Sequence, residues 1–138
     1  MSKVSVTLCA DYELDRLKDA VRRSLNNLGG IEKYVKPGMK VALKPNLLME
    51  KKPDDAATTH PLLVQVVAEM VRQAGGEVVI AESPGGPYTE SVLQRIYAKC
   101  GMAEATRMSG AKLNMEISST ELDNPLGKYL KKLNIIKP

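Results

Sequence analysis

Lys44-Pro45-Asn46 sets a cation and a carboxamide on either side of a proline, where the apolar run Val41-Ala42-Leu43 ends. Lys44 can neutralise negative charge and Asn46 can hydrogen-bond a ligand, while Pro45 stiffens the chain between them. A second segment, Thr58-Thr59-His60-Pro61, reads as a helix start. Proline suits the first helical position, hydroxyls cap it, and amides at the positive end of the helix dipole attract anions. His60, the sole histidine, is held toward its neutral form there and can exchange a proton near neutral pH. A third segment, Glu82-Ser83-Pro84-Gly85-Gly86-Pro87, combines two polar side chains with glycines that let backbone approach a ligand closely. The candidate catalytic residues are therefore His60 and Lys44. The candidate ligand-binding residues are Asn46, Thr58, Thr59, Glu82, Ser83, Gly85 and Gly86.

Each segment by itself also fits a purely structural role: a solvated strand end, a helix cap, a glycine turn. The glycine loop follows neither the dinucleotide pattern GxGxxG nor the phosphate-loop pattern GxxxxGK[ST], so no nucleotide is inferred. Ser83 lacks the GxSxG setting of a hydrolase nucleophile, and one histidine cannot supply a triad in any recognisable order. The pair Asp54-Asp55 reads as solvated surface, and Tyr88 fits equally the lining of the pocket or packing beside a helix.

The elements that must position these segments follow from periodicity. Val4, Val6 and Leu8 alternate with polar residues and predict a strand. Leu14, Leu17, Val21, Leu25 and Leu28 predict a helix capped by Asp11 and ended by Gly29-Gly30. Residues 40–44 and 77–81 predict buried strands. The broad stripe Leu62, Leu63, Val66, Val67, Met70, Val71 and Ala74 predicts the helix between them. Another helix is expected over about 89–100. Leu113-Met115-Ile117 and 129–136 then predict two strands joined as a hairpin around Asp123-Asn124-Pro125-Leu126-Gly127. The fold class expected is α/β. An open, mainly parallel sheet is covered by helices in three layers of strand–helix repeats, with a carboxyl-terminal hairpin-like pair. Ligands in such sheets bind beyond the carboxyl ends of the strands, where all three segments fall.

The 138 residues suit a single domain over 1–138. Hydrophobic residues form 43% of the chain without any Phe or Trp, so the core must be aliphatic. The net charge of +4 is spread along the chain without stacking aromatics or arginine-rich runs, which argues against nucleic acid. Cys9 and Cys100 are too far apart in sequence for a CxxC knuckle, so no metal site is expected. Cys100 falls on an apolar helix face and reads as a buried thiol. No apolar run is long enough to span a bilayer, and the amino terminus lacks a signal-peptide stretch. Cytoplasmic localisation and no membrane partner are expected. The run Ile135-Ile136-Lys137-Pro138 follows an apolar strand with no closing element, which suggests a truncated domain with an edge open to self-association.

Val41-Ala42-Leu43-Lys44-Pro45-Asn46-Leu47, Ala57-Thr58-Thr59-His60-Pro61 and Ala81-Glu82-Ser83-Pro84-Gly85-Gly86 occur in an order and spacing that resembles the domain of unknown function 362 family. Asn124-Pro125-Leu126-Gly127-Lys128-Tyr129-Leu130 fits as well. The resemblance implies the amino-terminal portion of a longer, iron–sulfur-associated oxidoreductase whose 4Fe–4S clusters sit in a missing carboxyl-terminal part. It implies no cofactor in this chain, which lacks the cluster cysteines, and no activity for this portion alone. Three functions follow. The first is a half-site for a small anionic ligand in a redox-linked protein, completed by the missing region. The others are a non-catalytic module that binds or senses a small anion, and a protein-docking scaffold.

Overall fold

The computed structural model describes residues 2–136. The leucine stripe forms helix α1 (Leu14–Asn27), but its cap is Glu13 rather than Asp11. The Glu13 carboxylate accepts from the amides of Asp15 and Arg16 at 3.2 and 3.1 Å, and Asp11 accepts from the Glu13 amide at 3.0 Å. The expected cap thus lies two residues back, bracing the residue that caps.

Strand β1 (Lys40–Leu43), helix α2 (Pro61–Gln73) and strand β2 (Glu77–Ile80) fall where expected, but the strands are covered on one face only: β1 has no fully buried residue, and β2 buries Val78 and Ile80. Helix α3 (Glu90–Lys99) and helix α4 (Met102–Ser109) lead to a short strand β3 (Lys112–Leu113). The three strands form a parallel sheet in the order β1-β2-β3, with Val41 opposite Val78 and Leu43 opposite Ile80. This register turns one apolar row toward the helices. Ala68 and Val71 of α2 pack on Val78 and Val35. Val64 joins Leu47, Ile80, Leu93, Ile96, Tyr97, Cys100 and Met102 in the main core. Leu17 of α1 meets Val66 and Met70 on the outer side of α2. The reverse sheet face carries Lys40, Ala42, Glu77 and Lys112, all exposed. The core is aliphatic except for Tyr97, its largest fully buried side chain; the Cys100 thiol is buried as expected, and burial pushes its pKa up.

Helix α4 was not legible from the sequence. Gly101, at φ +78°, ends α3 and lets the chain restart at once, and eight residues are too few for a clear apolar period. Thr106 and Ser109 are buried there because their hydroxyls donate back to the carbonyls of Met102 and Ala105 at 2.6 and 2.7 Å.

Three strand expectations are corrected. Residues 4–8 form no strand: Val4, Val6 and Leu8 are exposed, while Ser5, Thr7 and Cys9 are half-buried. Alternation specifies two sides, but a strand also needs a neighbour's backbone, and no described element supplies one. The strand expected at 113–117 pairs only through Leu113. The hairpin partner is instead β4 (Ser119–Asp123), antiparallel to β5 (Lys132–Ile136). The turn falls where expected, with the Gly127 amide donating to the Asn124 carbonyl at 3.0 Å. Lys137 and Pro138 lie outside the described residues. No helix among the described residues is long and apolar enough to cross a membrane.

Candidate functional site

Because β1 and β2 run parallel, Lys44 and Glu82 leave neighbouring strands at the same end. Lys44 Nζ donates to Glu82 Oε2 at 2.6 Å, and Glu82 Oε1 accepts from the Ser83 amide at 2.8 Å. The pair is asymmetric: the lysine side chain is 73% exposed and the glutamate 7%. A covered carboxylate therefore anchors an ammonium that keeps N–H donors facing solvent.

The strip from Lys44 to Leu48 also ties the other segments together. The Asn46 amide donates to Thr59 Oγ1 at 2.9 Å, and the Thr59 amide returns a bond to the Asn46 carbonyl at 2.8 Å. Asn46 Nδ2 donates to the Ala57 carbonyl at 2.9 Å. On the other flank, the Gly85 amide donates to the Leu48 carbonyl at 2.9 Å. Leu48 is held at φ +45°, a left-handed conformation that costs about 1–2 kcal/mol for a residue with a Cβ. Gly86, at φ +98°, occupies a region that only glycine enters freely. Beneath this strip Leu47 is fully buried. All three segments thus meet at the carboxyl ends of β1 and β2.

His60 plays a different part from the one its position suggests. Its Nδ1 accepts from the Leu62 amide at 3.3 Å, capping α2, and its ring stacks on Tyr12 with centroids 3.6 Å apart. The amides of Leu63 and Val64 donate to the His60 carbonyl, and Pro61 has no N–H. The first-turn donors that were to attract an anion are therefore already engaged. Burial holds the imidazole below its ordinary pKa, against a smaller opposing effect of Asp54. With Nδ1 accepting, the neutral ring carries its proton on Nε2. Thr59 Oγ1 accepts from the Asn46 amide, whereas Thr58 Oγ1 is buried with no hydrogen-bond partner among the described residues. Among the described residues no group of three or more His, Cys, Asp or Glu side chains is placed to hold a metal ion.

Residues 41–138 match the family described as Domain of unknown function (DUF362). The chain belongs to this family. All three segments of the DUF362 chain lie within that match, whereas α1 and Tyr12 lie before it. The chain is also 39% identical over 84 residues to a thylakoid-associated protein of Synechocystis sp.. That alignment covers 61% of this chain and 26% of the relative, so the chain matches about a quarter of the relative's length. No solved structure matches the chain.

Sequence reasoning missed Tyr12 and Leu48, and read Asp54 only as surface. No local signal marks Tyr12 as the partner of a histidine 48 positions later (60 − 12), or Leu48 as left-handed. The His60 cap makes a prediction for the DUF362 chain. His60→Ala is expected to cost about 1 kcal/mol, the usual size of a lost N-cap. The folded pKa lies below the unfolded value of 6.5, so the unfolded chain takes up the proton first. The stability contribution is present above that value and is lost as pH falls through the lower folded value. Urea unfolding at a series of mildly acidic pH values should show this decline in the parent protein. It should be smaller in His60→Asn, which keeps a capping side chain but does not titrate there, so the difference between the two proteins reports His60.

Proposed function

We propose that this chain forms one wall of a site for a small anionic ligand within a larger, redox-linked, iron–sulfur-associated DUF362 protein of the cytoplasm. The observation that carries this is the exposed Lys44 ammonium, anchored on covered Glu82 at the carboxyl ends of adjacent parallel strands. An anion seated there meets the remaining Lys44 donors and the Ser83 hydroxyl, beside backbone that Gly85 and Gly86 leave unobstructed. Glu82 serves as the lysine's anchor. Asn46 and Thr59 hold the wall's shape, and His60 presents only Nε2 for proton exchange. The iron–sulfur and redox part rests on the resemblance of the motif series, and the clusters belong to regions beyond this chain. A binding module without chemistry is the second reading. It is favoured by the engagement of His60 Nδ1 and of the helix-start amides within the fold.

The ligand part is tested by titrating phosphate, sulfate and acetate into the protein while following the amide resonances of Ser83 and Gly85. Lys44→Gln is expected to weaken binding about tenfold or more, the scale of one lost charge-assisted hydrogen bond. Lys44→Arg should retain part of it. Lys44→Gln also leaves the Glu82 carboxylate unpaired, so the double variant Lys44→Gln/Glu82→Gln serves as the fold control. Unchanged binding in Lys44→Gln would remove the site from this strand end. The redox part is tested on full-length protein prepared without oxygen, where the broad visible absorption of an iron–sulfur cluster is expected and its absence would defeat that part alone.

A further inference from the structure

The hairpin of β4 and β5 contributes no described residue to the hydrophobic core clusters. Its connecting loop nevertheless carries three large apolar side chains turned to solvent: Leu126 at 95% exposure, Tyr129 at 85% and Leu130 at 65%. Lys128 and Lys131 are interleaved with them, and residues 124–131 include no acidic side chain. Lys128 Nζ lies 5.4 Å from the centre of the Tyr129 ring, and Lys131 Nζ donates to the Pro125 carbonyl at 3.4 Å. The acidic residues Glu121 and Asp123 sit back along β4, where Glu121 is paired with Lys132.

The loop is held in shape by its own polar groups. Asn124 Nδ2 donates to the Leu130 carbonyl at 3.0 Å, and the Asn124 amide donates to the Lys131 carbonyl at 2.7 Å. The apolar side chains are thus displayed on a closed loop, which lowers the entropy lost when something covers them.

We propose that this loop is a peripheral contact with an anionic lipid bilayer. Leu126, Tyr129 and Leu130 enter the boundary between headgroups and acyl chains, while Lys128 and Lys131 meet lipid phosphates. The charge complementarity is direct, since the loop carries cations only and each gains from the negative surface potential of an anionic leaflet. Tyrosine is at home at that depth, and lysines reach headgroups while their stems stay in the apolar layer. Single-stranded RNA fits less well: it rewards aromatic and arginine planes, and this loop offers one tyrosine, no arginine and two leucines. The expectation of no membrane partner rested on the lack of a spanning run, which says nothing about surface contact.

The chain has no tryptophan, so Tyr129→Trp supplies a single reporter. Its emission should shift to the blue with vesicles of mixed phosphatidylglycerol and phosphatidylcholine, and not with phosphatidylcholine alone. In sedimentation, the unsubstituted chain should partition onto the anionic vesicles and be released by salt. Leu126→Ser/Leu130→Ser and Lys128→Gln/Lys131→Gln should each reduce partition by about fivefold or more, because both apolar and electrostatic contacts are needed. Circular dichroism of each variant should match the parent, since these side chains are exposed. Absence of partition overturns the proposal, as does partition unaffected by either double variant. A blue shift without lipid that accompanies dimer formation, or binding to single-stranded RNA in place of vesicles, overturns it as well.

Discussion

Replacing Leu47 by alanine is expected to lower the unfolding free energy by about 2–5 kcal/mol, the range for a fully buried leucine truncated in a packed core. Leu47 has no exposed surface and packs in one cluster with Val64, Ile80, Leu93 and Tyr97. Helix α2, strand β2 and helix α3 all lean on it, so a cavity there cannot close by moving one element. Its neighbours Asn46 and Leu48 carry the bonds to Thr59 and Gly85 that join the three segments. The loss should therefore be local as well as global: amide exchange at Asn46, Thr59 and Gly85 should accelerate beyond what the global change explains. Leu47→Met, which conserves volume, should cost less than about 1.5 kcal/mol. Urea midpoints for the two variants decide the matter. A change below about 1 kcal/mol for Leu47→Ala would show that the leucine does not support the strip above it.

The second large effect is expected in alkali. Tyr97 is 1% exposed and donates its phenolic proton to the Asn114 carbonyl at 3.1 Å. Burial above all pushes its pKa up from 10.0; with a lowering backbone hydrogen bond at Glu82 and smaller raising effects of Tyr88, Cys100 and the Glu82 charge, the net value is about 12. The phenol is an acid whose folded pKa is raised, so the native state holds its proton where the unfolded chain has released it. Stability is fully present below pH 10.0 and is lost as pH rises toward about 12. The loss for this one group is about 2–3 kcal/mol, at 1.36 kcal/mol for each pKa unit. Lysines and other tyrosines also titrate there, so the informative quantity is the difference between the parent and Tyr97→Phe. At neutral pH that variant should lose about 1 kcal/mol, one hydrogen bond's net worth. Above pH 10 the gap should close and then reverse. A constant gap across the alkaline range would mean that the phenol reaches solvent in the native state.

The readable parts of the sequence were those in which a local period coincides with burial. The stripe from Leu62 to Ala74 is legible because α2 is covered on two sides, by the sheet and by α1. The runs at β1 and β2 are legible because one face of each packs toward the helices and β-branched or apolar residues dominate both runs, although the other face is mostly exposed. At 4–8 the same logic misled, because alternation is local whereas pairing needs a neighbouring strand. At the hairpin it found the turn, whose residues Asn124, Pro125 and Gly127 signal by type, but chose the wrong partner strand. Leu113, Met115 and Ile117 have a better apolar period than Ser119–Asp123, yet Met115 is used to pack against the core.

The order of apolar runs and turn residues already required that Lys44, the Thr58–His60 segment and the Glu82–Gly86 loop stand at the carboxyl ends of parallel strands or at the helix start beside them. The strand–helix order and the handedness of crossovers leave few alternatives. What each residue does there follows from the folded chain. It set the Lys44 ammonium on Glu82, 38 positions away, and closed the helix start with the His60 ring and carbonyl. It also laid Tyr12 against that ring. Charge and hydrogen-bond partners are set by distances of about 3 Å between side chains remote in sequence, and no local period or propensity encodes such a distance.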